Sequence, residues 1–117
     1  MHRFKELEVW KSSRHFCKSI YEVTAKFPDN EKFGLVSQLR HASISVPSNI
    51  TEGASRRSNK DFYRFLEIAI GSTYEIETQL LIASDLGFIN QKDIDKLLQE
   101  LQSIIKMLSK LMLSLRR

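Results

Sequence analysis

Along most of this 117-residue chain, apolar residues recur at alternating three- and four-residue intervals. That is the period of helices burying one face, rather than the period of two that marks strands. A first helix over about residues 4–26 carries Leu7, Trp10, Cys17, Ile20 and Tyr21 on one side, with Phe16 and Val23 at the edge and a polar gap at Ser13 and Arg14. It stops near Phe27, because Pro28 disfavours helix at the residue before it, and Asp29 or Asn30 is placed to cap the next helix.

The second helix, about 31–54, shows a seam of Leu35, Leu39, Ala42, Val46, Asn49 and Gly53 that keeps its phase on both sides of Pro47. Unbroken phase predicts a kink at Pro47 rather than a break. The carbonyl of Ser43 loses its amide donor there, and the Ser43 hydroxyl, water or Asn49 is expected to replace it. Gly53 and the polar run through Asn59 then end the helix.

The third helix, about 60–86, opens on Ser58 with Asp61 three residues later and continues through Phe62, Phe65, Leu66, Ala69, Ile76, Leu80 and Ala83 to a glycine cap at Gly87. The fourth, about 91–115, opens on Asn90 with Asp93 and runs through Ile94, Leu97, Leu98, Leu101, Ile104, Ile105, Leu108, Leu111, Met112 and Leu115. Helices of matched length, roughly 35–40 Å each, joined by short connections, make antiparallel neighbours. The expectation is an all-α, single-domain, up-down-up-down four-helix bundle over residues 1–117. With Met107 and Leu113 added, the apolar set of the fourth helix exceeds the roughly 100° stripe one core needs. Either part of it faces another subunit, or it lies partly exposed.

Composition adds little to the fold and more to the function. One cysteine, Cys17, makes no internal disulfide and fits a reducing compartment. No apolar run reaches the roughly 18 residues that span a bilayer, so a cytoplasmic protein with no membrane partner is expected. The net charge of +4 permits a polyanionic partner. In an up-down-up-down bundle the N-terminus, the turn between helices two and three, and the C-terminus share one end. That end collects Arg3, Lys5, Arg56, Arg57, Lys60, Lys110, Arg116 and Arg117, while Asp29, Glu31, Asp85, Asp93 and Asp95 fall at the other. Arg56 and Arg57, interleaved with Ser55, Ser58 and Asn59 before a helix N-terminus, form either a phosphate site or a solvated charged turn.

Folding helix three back on helix two makes paired residue numbers sum to about 114, within a turn. Ala42 and Ser43 then meet Gly71 and Ser72, Glu52 pairs with Arg64, and Arg40 pairs with Glu75 or Glu77. Together with Asn49 these residues read as an interhelical polar network that fixes register; a carboxylate site is the functional alternative. No Glu has a His three residues later, and His2, His15 and His41 make no zinc spacing with Cys17, so no metal and no cofactor are expected. Nor is there a P-loop, a G-x-G-x-x-G or a G-x-S-x-G, which makes an enzyme the weakest class. The sequon Asn49-Ile50-Thr51 falls inside a helix and reads as a chance match.

The segments LEVW at 7–10, FPDNEKFGLVSQLRHASISVPSNITEG at 27–53, DFYRFLEIAIGSTYEIETQL at 61–80 and the following ASDLGFI together resemble the bacterial four-helix-bundle proteins named for 23S rRNA intervening sequences. Thr51 departs from the alanine usual there, and the C-terminal helix matches only in pattern. The resemblance implies a four-helix bundle, a ring-like homopentamer and a link to RNA, with no catalytic residues to carry over. A similar accessory protein of diversity-generating retroelements implies nucleic-acid and reverse-transcriptase binding. The expected function is thus a non-enzymatic, oligomeric, nucleic-acid-associated protein contacting phosphates through Arg56, Arg57, Lys60, Arg116 and Arg117, with Arg3 and Lys5 beside them. The alternative is a scaffold docking a protein such as a reverse transcriptase.

Overall fold

A computed structural model describes residues 2–116. Four helices account for most of them: α1 Glu8–Thr24, α2 Leu35–Ala54, α3 Asn59–Asp85 and α4 Gln91–Leu115. Short 3-10 turns at Phe4–Glu6 and Asp29–Glu31 precede α1 and α2, and no strand occurs among the described residues. The helices are consistent with a four-helix bundle 44 × 24 × 20 Å in extent.

The buried face of α1 is rotated from the expected one. Val9, Ser13, Phe16, Ile20 and Thr24 face the core, while Leu7 and Trp10 pack at its margin and Tyr21 is exposed. Ser13 and Thr24 enter the core because each hydroxyl donates to a carbonyl of its own helix, Trp10 O at 3.0 Å and Ile20 O at 2.7 Å. A hydroxyl bonded back in this way carries no unsatisfied donor into the interior. The polar gap expected at Ser13 is therefore part of the core.

Helix α2 starts four residues later than its apolar pattern suggests. Asp29–Glu31 close a 3-10 turn, and the Glu31 carboxylate accepts from the Leu35 amide at 3.3 Å, so Glu31 caps the helix in place of Asp29 or Asn30. Both other predicted caps form: Ser58 accepts from the Asp61 amide at 3.1 Å and Asn90 from the Asp93 amide at 2.8 Å. After α3, Gly87 takes a positive φ of 78°, the Gly87 amide bonds Ser84 O at 3.0 Å and the Phe88 amide bonds Ala83 O at 2.9 Å. This closure turns Phe88 inward against Phe27, with ring centroids 5.6 Å apart.

Contacts between α2 and α3 run in opposite order along the two helices: Gln38 with Gln79, Ser45 with Ser72, Gly53 with Phe62. Their residue numbers centre near a sum of 117, within one turn of the expected 114. The close approach of the two helices lies at Gly53, not at Gly71. A Cβ on Gly53 would lie 2.7 Å from Phe62 Cδ1 and 2.9 Å from Phe65 Cβ, whereas Gly71 has nothing within 4 Å. Gly53 is the penultimate residue of α2, which ends at Ala54.

The apolar surplus also sits elsewhere. Most of α4 is absorbed by the core, with only Leu113 strongly exposed among its large apolar side chains. Helix α3 instead exposes Ile68, Tyr74, Leu81 and Ile82, and Leu86 just beyond its end is exposed as well.

Candidate nucleic-acid interface

Two contacts assemble one end of the molecule. The His2 amide donates to Ala54 O at 3.0 Å and the His2 ring lies 4.8 Å from Phe62, which fixes the N-terminal segment beside the α2–α3 turn. From the other terminus, the Arg116 guanidinium sits 5.8 Å from the Tyr63 ring centroid. The turn itself, Ser55 through Ser58, is exposed.

The bases gathered there differ in how free they are. Arg56 lies 3.5 Å from the Glu52 carboxylate and 4.7 Å from the Phe65 ring. Arg3 pairs with Glu6 at 3.5 Å. Arg57, Lys60 and Lys5 are exposed, and no salt bridge among the described residues includes them. Exposed pairs such as these are weak, so Arg3 and Arg56 can exchange their carboxylates for phosphate. Asp61 occupies the first turn of α3, where the helix dipole favours a negative charge and where it would compete with a bound anion. Arg117 lies outside the described residues.

Helical rotation accounts for neighbours that the sequence pattern did not reveal. In the string Phe62-Tyr63-Arg64-Phe65, Phe62 points to the core, Tyr63 and Phe65 flank it half-buried, and Arg64 turns to solvent. Tyr63 and Phe65 become the aromatic surfaces under Arg116 and Arg56, and Arg64 adds a base to the same end. The only signal for this in the sequence is the rotation of about 100° per residue.

The expected polar network between α2 and α3 is largely replaced. Arg40 turns to α1: its Nε donates to Thr24 Oγ1 at 2.9 Å, a terminal nitrogen donates to Tyr21 O at 3.2 Å, and the guanidinium lies 4.4 Å from the Tyr21 ring. No salt bridge among the described residues includes Glu75 or Glu77, and Glu52 pairs along its own helix with Arg56 instead of Arg64. Ser72 does meet α2, its hydroxyl 2.9 Å from that of Ser45. Asn49 donates to Ser45 O at 2.8 Å and Ser45 Oγ at 3.0 Å, so it reaches α3 only through that serine pair.

The carbonyl that Pro47 deprives of a donor is satisfied by neither Ser43 nor Asn49. Cys17 Sγ donates to it at 2.9 Å, and the Ser43 hydroxyl donates instead to Arg40 O. Burial raises the Cys17 thiol pKa, and the side-chain hydroxyl of Ser43 offsets part of that rise. Among the described residues, no three His, Cys, Asp or Glu side chains gather to hold a metal ion. No helix among the described residues is long and apolar enough to cross a membrane.

A groove runs between α1 and α4 on the far side from α2 and α3. One stretch of about 420 Å³ is lined by Lys11, Ser12, His15, Glu100, Ser103 and Ile104, and another of about 370 Å³ includes Leu7, Val9, Met107, Lys110 and Leu111.

A sequence model of the 23S rRNA-intervening sequence protein family matches residues 5–110. The chain belongs to this family. Among solved structures, a protein of unknown function from the S23 ribosomal protein family of Bacteroides thetaiotaomicron superposes with a TM-score of 0.80. It is 22% identical in sequence, and the alignment covers 89% of this chain and 97% of the other. At that identity the likeness speaks for a shared intervening-sequence fold. A search of curated proteins finds no match.

Proposed function

We propose that this intervening-sequence family member is a non-enzymatic, oligomeric protein of the cytoplasm that binds nucleic acid, RNA foremost, through one basic end of an antiparallel up-down-up-down bundle bent at Pro47. The reading is carried by one observation: bases from three separate segments, Arg3 and Lys5, Arg56 through Arg64, and Arg116, share the end where His2 meets Ala54 and Arg116 meets Tyr63. Clustered cations bind a phosphate backbone by releasing its counterions, which needs no base-specific geometry. Tyr63 and Phe65 offer half-exposed ring edges beside those cations, the combination used on single strands. Assembly into a homopentameric ring, which the family resemblance implies, would repeat the basic end and multiply weak contacts.

The test is binding of a single-stranded RNA oligonucleotide across a salt series. Affinity falls steeply with salt and depends little on sequence, and the Arg57→Ala/Lys60→Ala variant reduces the salt slope by about 0.7 for each phosphate it no longer neutralises. Absence of binding at low salt, or an unchanged slope in the variant, would overturn the reading.

A further inference from the structure

We propose that the cavity beside the α1–α2 connection binds a small carboxylate with an apolar body, held by Arg40. The site lies at the end of α2 away from the Ser55–Ser58 turn and does not depend on the nucleic-acid reading.

The first observation is that Arg40 is unlike the other bases. Among the described residues it is the one Lys or Arg that is not exposed. Its Nε donates to Thr24 Oγ1 at 2.9 Å, a terminal nitrogen donates to Tyr21 O at 3.2 Å, and the guanidinium lies over the Tyr21 ring. No salt bridge among the described residues includes it. Withdrawing a cation from water costs free energy that a carboxylate normally offsets. Here every partner is neutral, so the side chain is fixed in place without a counter-charge.

The second observation is the cavity that Arg40 lines. It measures about 420 Å³, between the end of α1 and the first turns of α2, a size at which small-molecule sites are found. Phe27 and Val36, both buried, and Pro28 form an apolar wall. Lys32 and Arg40 contribute positive charge and Asp29 the opposing carboxylate. The N–H groups that Arg40 does not give to Thr24 and Tyr21 form a planar donor set, the geometry that matches a carboxylate.

Charge then selects the class of anion. Two bases against one acid leave a single positive charge, which suits a monocarboxylate better than a phosphate dianion brought close to Asp29. The apolar wall gives the body of such a ligand a surface to bury. Because Arg40 is already ordered by Thr24 and Tyr21, binding is spared the cost of immobilising a long side chain.

The experiment titrates the isotopically labelled full-length protein with sodium benzoate and follows amide chemical shifts. Benzyl alcohol serves as the neutral analogue and inorganic phosphate as an anion with no apolar body. The expected result is a saturable shift of amides within residues 24–40 for benzoate, with both comparison compounds binding more weakly. Arg40→Lys keeps the charge but loses the fork and weakens benzoate binding about tenfold. Ala25→Glu, at an exposed position lining the cavity, introduces a competing carboxylate and abolishes binding while the fold is retained, as thermal melting checks. That second variant decides the matter if Arg40→Lys does not fold. Absence of saturable shifts, equal binding of benzyl alcohol or phosphate, or wild-type affinity in Ala25→Glu would overturn the site.

Discussion

The Cys17 thiol donates to the carbonyl of Ser43 at 2.9 Å, the one carbonyl of α2 that Pro47, four residues on, leaves without its helical amide. A proline inside a helix removes a donor and crowds that carbonyl. Here the donor comes from the neighbouring helix. Cys17→Ala should therefore cost about 1–3 kcal/mol of stability in the wild-type chain, the usual penalty for a stranded buried acceptor. In a Pro47→Ala background the restored backbone amide serves the carbonyl again, and the same substitution should cost less. Chemical denaturation of the four proteins of this cycle measures the coupling, and strictly additive losses would refute it.

The same thiol carries a pH dependence whose sign is fixed by burial. Because its folded pKa is raised, the folded state holds the proton over a pH range in which the unfolded thiol, with a pKa of about 8.5, has released it. Stability should fall as pH rises through the unfolded value and level off above the folded one. Melting curves between neutral and alkaline pH should show this component in the wild type and lack it in Cys17→Ala.

Two glycines in helices should respond in opposite directions. Gly53→Ala brings a Cβ to 2.7 Å from Phe62 and 2.9 Å from Phe65, both held in place by packing. Overpacking of this kind costs typically 1–3 kcal/mol, more than the gain of up to about 1 kcal/mol in helix propensity. Gly71→Ala meets nothing within 4 Å and should stabilise by roughly that propensity alone. Thermal melting of the two variants separates the cases, and a stabilised Gly53→Ala would contradict the packing argument.

At the basic end, Glu52 restrains Arg56, and both side chains are substantially exposed. Glu52→Gln should therefore leave the melting temperature nearly unchanged and strengthen RNA binding, by freeing a cation and removing a nearby carboxylate. Arg57→Ala, at a position with no carboxylate to release, should weaken binding more than Arg56→Ala. Equal effects of the two arginine substitutions would show that the Glu52 pair does not matter to the ligand.

Gln79 is buried between α2 and α3, and its Oε1 finds no hydrogen-bond partner while its Nε2 reaches Gln38 only at 3.4 Å. A buried acceptor in this state is a liability of about 1–3 kcal/mol. Gln79→Leu should hold or raise stability, which is unusual for a core substitution; a large loss in denaturant titration would show that the amide is satisfied after all.

The amino-acid sequence by itself determined the helices and several of their ends, because these depend on neighbours along the chain. The three-and-four spacing needs only the helical period, the Ser58 and Asn90 caps need only an acceptor three residues before an amide, and Gly87 needs only a residue free to take positive φ. The basic turn was legible for the same reason, since Arg56 through Lys60 are contiguous. Which groups meet across helices was not legible, because register alone does not say which neighbour each side chain turns to: Arg40 with Glu77 and Glu52 with Arg64 fit the observed register, yet neither pair forms. The close approach lies at Gly53 instead of Gly71, Arg40 turns to Thr24 on α1, and Glu52 pairs with Arg56 on its own helix. Ser13 and Thr24 look polar in a sequence and become core residues only once their hydroxyls bond to their own helix. Only the packed structure could give Cys17 to Ser43, for the missing donor is a local fact about Pro47 and its replacement comes from another helix.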